Sequence, residues 1–360
     1  MITSSAITSL RLFNQHISGT LYTKPGELLS FMGAMQAQDY AQAKWAVGLR
    51  LPGTTGAEIE KAIVRKQIVR TWAMRGTLQF VAAKDYRWLH SLFTSKFLNT
   101  NSSRNRQLGL DGKIFNKANL LIVKSLEMEK LLTRSEIGKI LKTSGIATDQ
   151  NRLSHILHFA TMNQLICFGP RKEKEFSFVL LDDWIPSSKT LSREKGLGEL
   201  AQRYFISRGP ATLQDFIWWS GLSAADAKTS LETVSHLLIR ESFNGKEYFL
   251  SNDATDSKHL DGGANRIFLL AGFDEYLISY TDRSASLNPK FNAKAIYNNG
   301  IFHPTIVMGG QIVGIWRPIV KGKSITMRSE YFTKMTTTQL KSVDEEFQKY
   351  ILFAKDVSDT

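Results

Sequence analysis

The chain has 360 residues, 42% of them hydrophobic and 22% charged, which excludes wholesale disorder and asks for two or three domains. Its 46 Lys and Arg against 33 Asp and Glu leave a net charge of +13, a balance that favours a polyanionic partner, nucleic acid before an anionic membrane surface. A single cysteine, Cys167, excludes an intrachain disulfide, a Cys-rich zinc site or an iron–sulfur cluster and fits a reducing cytoplasm; no apolar run reaches the ~18 residues of a membrane span, and residues 1–7 lack the pattern of a signal peptide.

From the N-terminus, helical patterns run over 6–15, 25–38 and 56–65, and 69–81 reads as a strand pair bent at Gly76. A cleaner copy of the same order occupies 116–185. There 116–128 is helical, and Thr133 with Glu136 forms a capping box for a second helix that stops at Ser144-Gly145. A third helix begins near Asp149 and buries Leu153, Ile156, Leu157 and Ala160 on one face. Residues 165–168 and 176–181 then flank a polar turn as a hairpin. The order recurs over 194–252: a helix at 194–207, a short helix opened by Thr212, a break at Gly221, a helix capped by Ser223, and a hairpin about Asn244-Gly245. Helices followed by a hairpin are the winged-helix plan. The expected class is therefore α+β and mainly helical, with three tandem winged-helix units over 1–100, 101–190 and 191–255. The remainder, 256–360, predicts short strands at 266–270, 305–308, 311–316 and 324–332, a turn at Gly309-Gly310, and a closing helix over 337–354. A polar stretch, 251–263, reads as a linker.

His155 and His158 stand at i, i+3 without a third ligand at zinc spacing, so no metal is expected. Serine-hydrolase, P-loop and dinucleotide-binding motifs are absent, and no cofactor is expected. Asp274 and Glu275, read on a strand, point to opposite faces and do not share a proton; a turn, or a salt bridge with Arg283, is the expectation. Basic residues gather where phosphate binding needs them: Arg171, Lys172 and Lys174 on the second hairpin's turn, Arg152 at the start of a third helix, and Arg65, Lys66, Arg70 and Arg75 about the first hairpin. Their expected partner is double-stranded DNA.

The run Met35-Gln36-Ala37-Gln38-Asp39-Tyr40, continuing through Lys44-Trp45-Ala46-Val47-Gly48, resembles the AlkZ/YcaQ-type winged-helix DNA glycosylases. So do Arg70-Thr71-Trp72-Ala73-Met74-Arg75-Gly76-Thr77-Leu78, Asp85-Tyr86-Arg87-Trp88, Gly272-Phe273-Asp274-Glu275-Tyr276-Leu277, Asp282-Arg283-Ser284, 299–305 and Val313-Gly314-Ile315-Trp316-Arg317. The resemblance implies three tandem winged helices and a β-barrel-like C-terminal module in a C-shaped DNA clamp, and the chain is read as a monomer. It also implies DNA repair by excision of bulky or crosslinked N-alkylated purines from duplex DNA. In the active site it implies a Gln-x-Gln motif, here Gln36 and Gln38 as catalytic residues; after Thr77-Leu78, where relatives often carry His, this chain has Gln79.

An N-alkylated purine is cationic and leaves readily, so an enzyme need only position a water and stabilise charge. A glutamine amide can orient that water by accepting and donating hydrogen bonds. In a continuous helix, residues i and i+2 lie about 200° apart. The two glutamines therefore converge only if the helix ends or bends near Gln38; alternatively, Gln36 and Asp39 share a helical face and Asp39 polarises the water. A non-catalytic winged-helix regulator is the alternative function. An RNA-binding protein is a weaker third, since no aromatic RNP-type motif is present.

Overall fold

The computed structural model describes residues 2–185, 190–255, 266–297 and 300–355. It divides into two compact units, one of Glu60–Gly196 and one of Met1–Ile59 with Leu197–Thr360. The fold is mainly helical, with several small sheets.

In Glu60–Gly196, strand Ile68–Ala73 pairs antiparallel with Thr77–Ala82, Ala73 opposite Thr77. Arg75 and Gly76 reverse the chain with φ of 54° and 76°. Three helices follow further on: Gly112–Glu129, Arg134–Thr143 and Arg152–Met162. The Thr133–Glu136 capping box is formed in both directions, supplying partners to two backbone N–H groups at the helix start. Leu153, Ile156, Leu157 and Ala160 meet Phe115, Ile122, Leu126, Ile137 and Leu141 in one core. The third helix starts at Arg152, after Gln150 and Asn151 take left-handed φ of 49° and 70°. Strands Ile166–Phe168 and Ser177–Leu180 form the expected hairpin, Phe168 opposite Phe178. A third strand, Leu132–Thr133, joins Ser177–Leu180; two residues are too few to show periodicity in the sequence.

In the other unit, a second capping box, Thr212 with Asp215, opens helix Leu213–Ser220. Ser223 caps Ala224–Val234 by accepting the Asp226 N–H. Strands Leu238–Phe243 and Lys246–Ser251 pair about Asn244 and Gly245, whose φ of 49° and 72° are what a tight two-residue hairpin needs. Residues 256–263 of the expected linker lie outside the described residues; Asn252–Thr255 is a short 3-10 turn.

The C-terminal strands form one antiparallel sheet in the order Ser324–Tyr331, Gln311–Lys321, Thr305–Met308, Ile267–Leu269. It is open. The barrel-like expectation is thus corrected: four strands are too few to bend round and pair edge to edge. Helix Thr337–Lys355 turns Val343, Phe347, Tyr350 and Phe353 inward, and Tyr350 meets Trp316 edge-on at 5.0 Å. The same helix packs on helix Tyr40–Leu49, where Trp45 and Phe353 lie 5.2 Å apart. Among the described residues no helix is long and apolar enough to cross a membrane.

Candidate active site

The helix expected over 25–38 stops at Met32. Gly33, with φ 73°, takes a backbone conformation that L side chains rarely adopt and turns the chain out of the helix. Met35–Gln36 is then a short strand, and the next helix begins only at Tyr40. Met35 and Ala37 are buried, Gln36 is half-buried and Gln38 is exposed. That alternation is the period of an extended chain, in which i and i+2 point the same way. The conflict posed by a helical Gln-x-Gln therefore disappears, because residues 35–38 are not helical. Asp39 is the N-cap of helix Tyr40–Leu49, its carboxylate accepting the Gln42 N–H at 3.1 Å. With no helix between Gln36 and Asp39, the helical face proposed for those two does not exist.

The rest of the glutamine-bearing run is structural. Gln42 Oε1 accepts the Gly272 N–H at 2.9 Å, and Trp45 Nε1 donates to the Leu269 carbonyl at 2.8 Å. Arg50, fully buried, donates to both Asp274 oxygens at 2.8 and 2.9 Å and to the Gln15 and Ala46 carbonyls. Gly48 lets the Phe353 ring lie where a β-carbon would stand, 2.2 Å away.

Beneath the glutamines lies a second buried ion pair. Glu275 accepts the Gln36 N–H at 2.9 Å through Oε1. Its Oε2 accepts Arg208 Nη2 at 2.8 Å, Trp219 Nε1 at 2.9 Å and the Ser279 hydroxyl at 2.7 Å. Arg208 in turn donates to the Met32 carbonyl at 2.7 Å and the Ala34 carbonyl at 2.8 Å, and its guanidinium lies 4.3 Å from the centre of the Trp219 ring. Burial alone would raise the Glu275 pKa, but the Arg208 charge and the converging donors outweigh it and hold the carboxyl below its usual range.

The expectation of an Asp274 or Glu275 bridge to Arg283 is corrected. Asp274 caps the short helix Glu275–Ile278, so the two carboxylates fan out to different arginines. Arg283 donates instead to the Leu277 and Thr281 carbonyls. Nothing in local spacing announces these pairs, whose members are 224 and 67 residues apart.

The basic candidates differ in how free their charges are. Lys174 is exposed on the turn between Ile166–Phe168 and Ser177–Leu180. Lys172 donates to Glu136 at 2.6 Å, and Arg171 donates to the Lys174 carbonyl at 2.5 Å. Arg152 is tied to the Leu108 carbonyl at 2.7 Å and to Asp149 at 2.8 Å. Arg75 sits half-buried at the first hairpin's bend. Arg70 is buried under the Phe176 ring at 4.2 Å, and Lys66 is held by the Asp183 carbonyl at 2.8 Å. His155 and His158 do not act as a pair: His155 bonds Asn105 at 2.7 Å, whereas His158 packs edge-on against Trp72 at 5.3 Å. Gln79 is buried and donates to the Thr77 hydroxyl at 2.8 Å.

The sequence profile of the family described as DNA glycosylase AlkZ-like matches residues 29–353, which include both glutamines, Arg208 and Glu275. An interstrand DNA cross-link repair glycosylase from Streptomyces sahachiroi is 21% identical over 320 residues, 85% of each chain. The solved structure of Streptomyces sahachiroi DNA glycosylase AlkZ has the same fold, with a TM-score of 0.80, 20% identity, and coverage of 99% of this chain and 98% of that one.

Proposed function

The chain belongs to the AlkZ-like family of DNA glycosylases, and from that premise we propose that it hydrolyses the N-glycosidic bond of bulky or crosslinked N-alkylated purines in duplex DNA, with Gln36 and Gln38 as the catalytic pair. The observation that supports this reading is that residues 35–38 are not helical and alternate in burial, Met35 and Ala37 buried, Gln36 half-buried and Gln38 exposed. Each amide offers an acceptor and two donors. Together they hold a water against C1′ of the extruded nucleotide. The bond from C1′ to the purine nitrogen breaks first; the alkylated base, cationic while attached, leaves neutral and needs no acid. Water then adds to the oxocarbenium-like sugar and releases a proton to solvent. Orientation and electrostatics supply the catalysis, without metal or cofactor.

Crosslinked purines enter the reading through the Streptomyces sahachiroi relative, which repairs interstrand cross-links. Arg75, Arg152, Arg171, Lys172 and Lys174 are the proposed phosphate contacts, Lys174 the readiest and Arg152 and Lys172 requiring exchange of an internal partner. The helices-then-hairpin order of Gly112–Glu129 to Ser177–Leu180, and of Arg193–Arg208 to Lys246–Ser251, supports winged-helix units over 101–190 and 191–255. The reading extends to a further unit over 1–100, a β-rich module over 256–360, and a cytoplasmic monomer. The test is incubation with duplexes carrying N7-methylguanine, N3-methyladenine or an interstrand crosslink, then alkaline cleavage. Breaks at the lesion and none in undamaged DNA are expected; intact strands from all three substrates would overturn the substrate assignment.

A further inference from the structure

We propose that the buried Arg208–Glu275 pair positions the Gln36–Gln38 segment for the reaction, with Glu275 acting as a positioning residue through the Gln36 backbone. The proposal rests on the catalytic reading of the two glutamines. The segment follows a glycine-terminated helix, contains a two-residue strand, and ends at the Asp39 cap. The Gln36 N–H and, just before the segment, the Met32 and Ala34 carbonyls all go to this one ion pair. Charged donors and acceptors make shorter and stronger hydrogen bonds than neutral ones, and Trp219 and Ser279 fix the carboxylate from its far side. A group that orients water has to be held within about 0.5 Å of its productive place. A neutral side chain could not accept from four groups, as this carboxylate does.

The neighbouring ion pair supplies an internal control. Asp274–Arg50 is as deeply buried, but its arginine grips the Gln15 and Ala46 carbonyls and none of residues 32–38. The experiment uses the full chain and an N7-methylguanine duplex, and reads single-turnover excision, duplex Kd, melting temperature and exchange of the Gln36 amide hydrogen. Glu275→Gln is expected to slow excision about 10- to 100-fold, the scale of a 1 Å misplacement, with Kd changed less than about twofold. It should also expose the Gln36 amide to exchange. Asp274→Asn, which keeps a capping oxygen, should lower the melting temperature yet leave the excision rate within about twofold of wild type. Combining Glu275→Gln with Gln36→Ala should slow excision by less than the product of the two single effects, since they act in part through one group. If Glu275→Gln does not fold, Trp219→Phe removes one donor from the same carboxylate and should slow excision about threefold. Wild-type rates from Glu275→Gln or Trp219→Phe, or an equal loss in Asp274→Asn, would overturn the positioning role while Gln36→Ala stayed inactive. Full activity in Gln36→Ala would remove the catalytic role of Gln36 and this proposal together.

Discussion

A glutamine amide can orient a water but cannot take its proton, and such orientation counts chiefly in the transition state. Gln36→Ala and Gln38→Ala are therefore each expected to cut single-turnover excision at least about tenfold with duplex affinity nearly unchanged. Gln38→Asp should keep part of the activity, because a carboxylate can accept the water's proton. Rates at the wild-type level from both alanine variants would move the chemistry elsewhere. A different residue contributes to the acid sensitivity of the fold. His90 is buried, stacked on Tyr86 at 5.1 Å and beside the Thr94 hydroxyl at 3.3 Å. Burial, with repulsion from His158, pushes its pKa down to about 3 from an ordinary 6.5. Between those values the unfolded chain holds a proton that the folded chain does not. Stability is accordingly complete above pH 6.5 and falls as the pH drops, by up to about 1.4 kcal/mol per pH unit. Melting curves from pH 7 to 4.5 should show this decline, and His90→Asn should make it shallower; parallel pH profiles for the two proteins would refute the assignment.

Among the elements, legibility followed range. The Thr133–Glu136 box, the buried face of the third helix and the Asn244-Gly245 turn depend on residues within a few positions of one another, and each stands where its spacing places it. The end of helix Pro25–Met32 was missed because the apolar pattern runs on past Gly33, and a lone glycine in a helical pattern is an ambiguous stop. The ion pair beneath Gln36 was missed for the opposite reason: its partners are brought together only by tertiary structure. Gly48 belongs to the same class. Its place in helix Tyr40–Leu49 is unfavourable for helix formation, and only the contact with Phe353 explains it. Gly48→Ala improves local propensity but drives a methyl into that ring. It is expected to destabilise the protein by about 1–3 kcal/mol in denaturant unfolding, and Phe353→Leu in the same chain should recover part of the loss. A stabilised Gly48→Ala protein would mean that the two helices can part without cost.

At the scale of the whole molecule, the charge of +13 must be separated into cations available to DNA and cations already spent inside the fold. Arg50 and Arg208 are buried in ion pairs and Arg70 lies beneath an aromatic ring, so none of the three contributes to a phosphate contact. Duplex affinity should still fall linearly with the logarithm of salt, by about 0.9 of a log unit per log unit of salt for every phosphate neutralised. Lys174→Ala should flatten that slope by about one phosphate contact. Lys172→Ala should flatten it by less, because its ammonium is already held by Glu136 and must give up that bond to reach a phosphate. Glu136→Gln provides the cross-check: it releases Lys172 and should steepen the slope where Lys172→Ala relaxes it. These contacts read backbone rather than bases, so a selection on undamaged random duplexes should return no strong motif. A sequence-specific binder discriminates by about 10³-fold or more over random DNA. Recovery of one motif at that ratio, with a salt slope indifferent to Lys174 and Glu136, would show that this chain reads base sequence and that its DNA-contacting surface lies elsewhere.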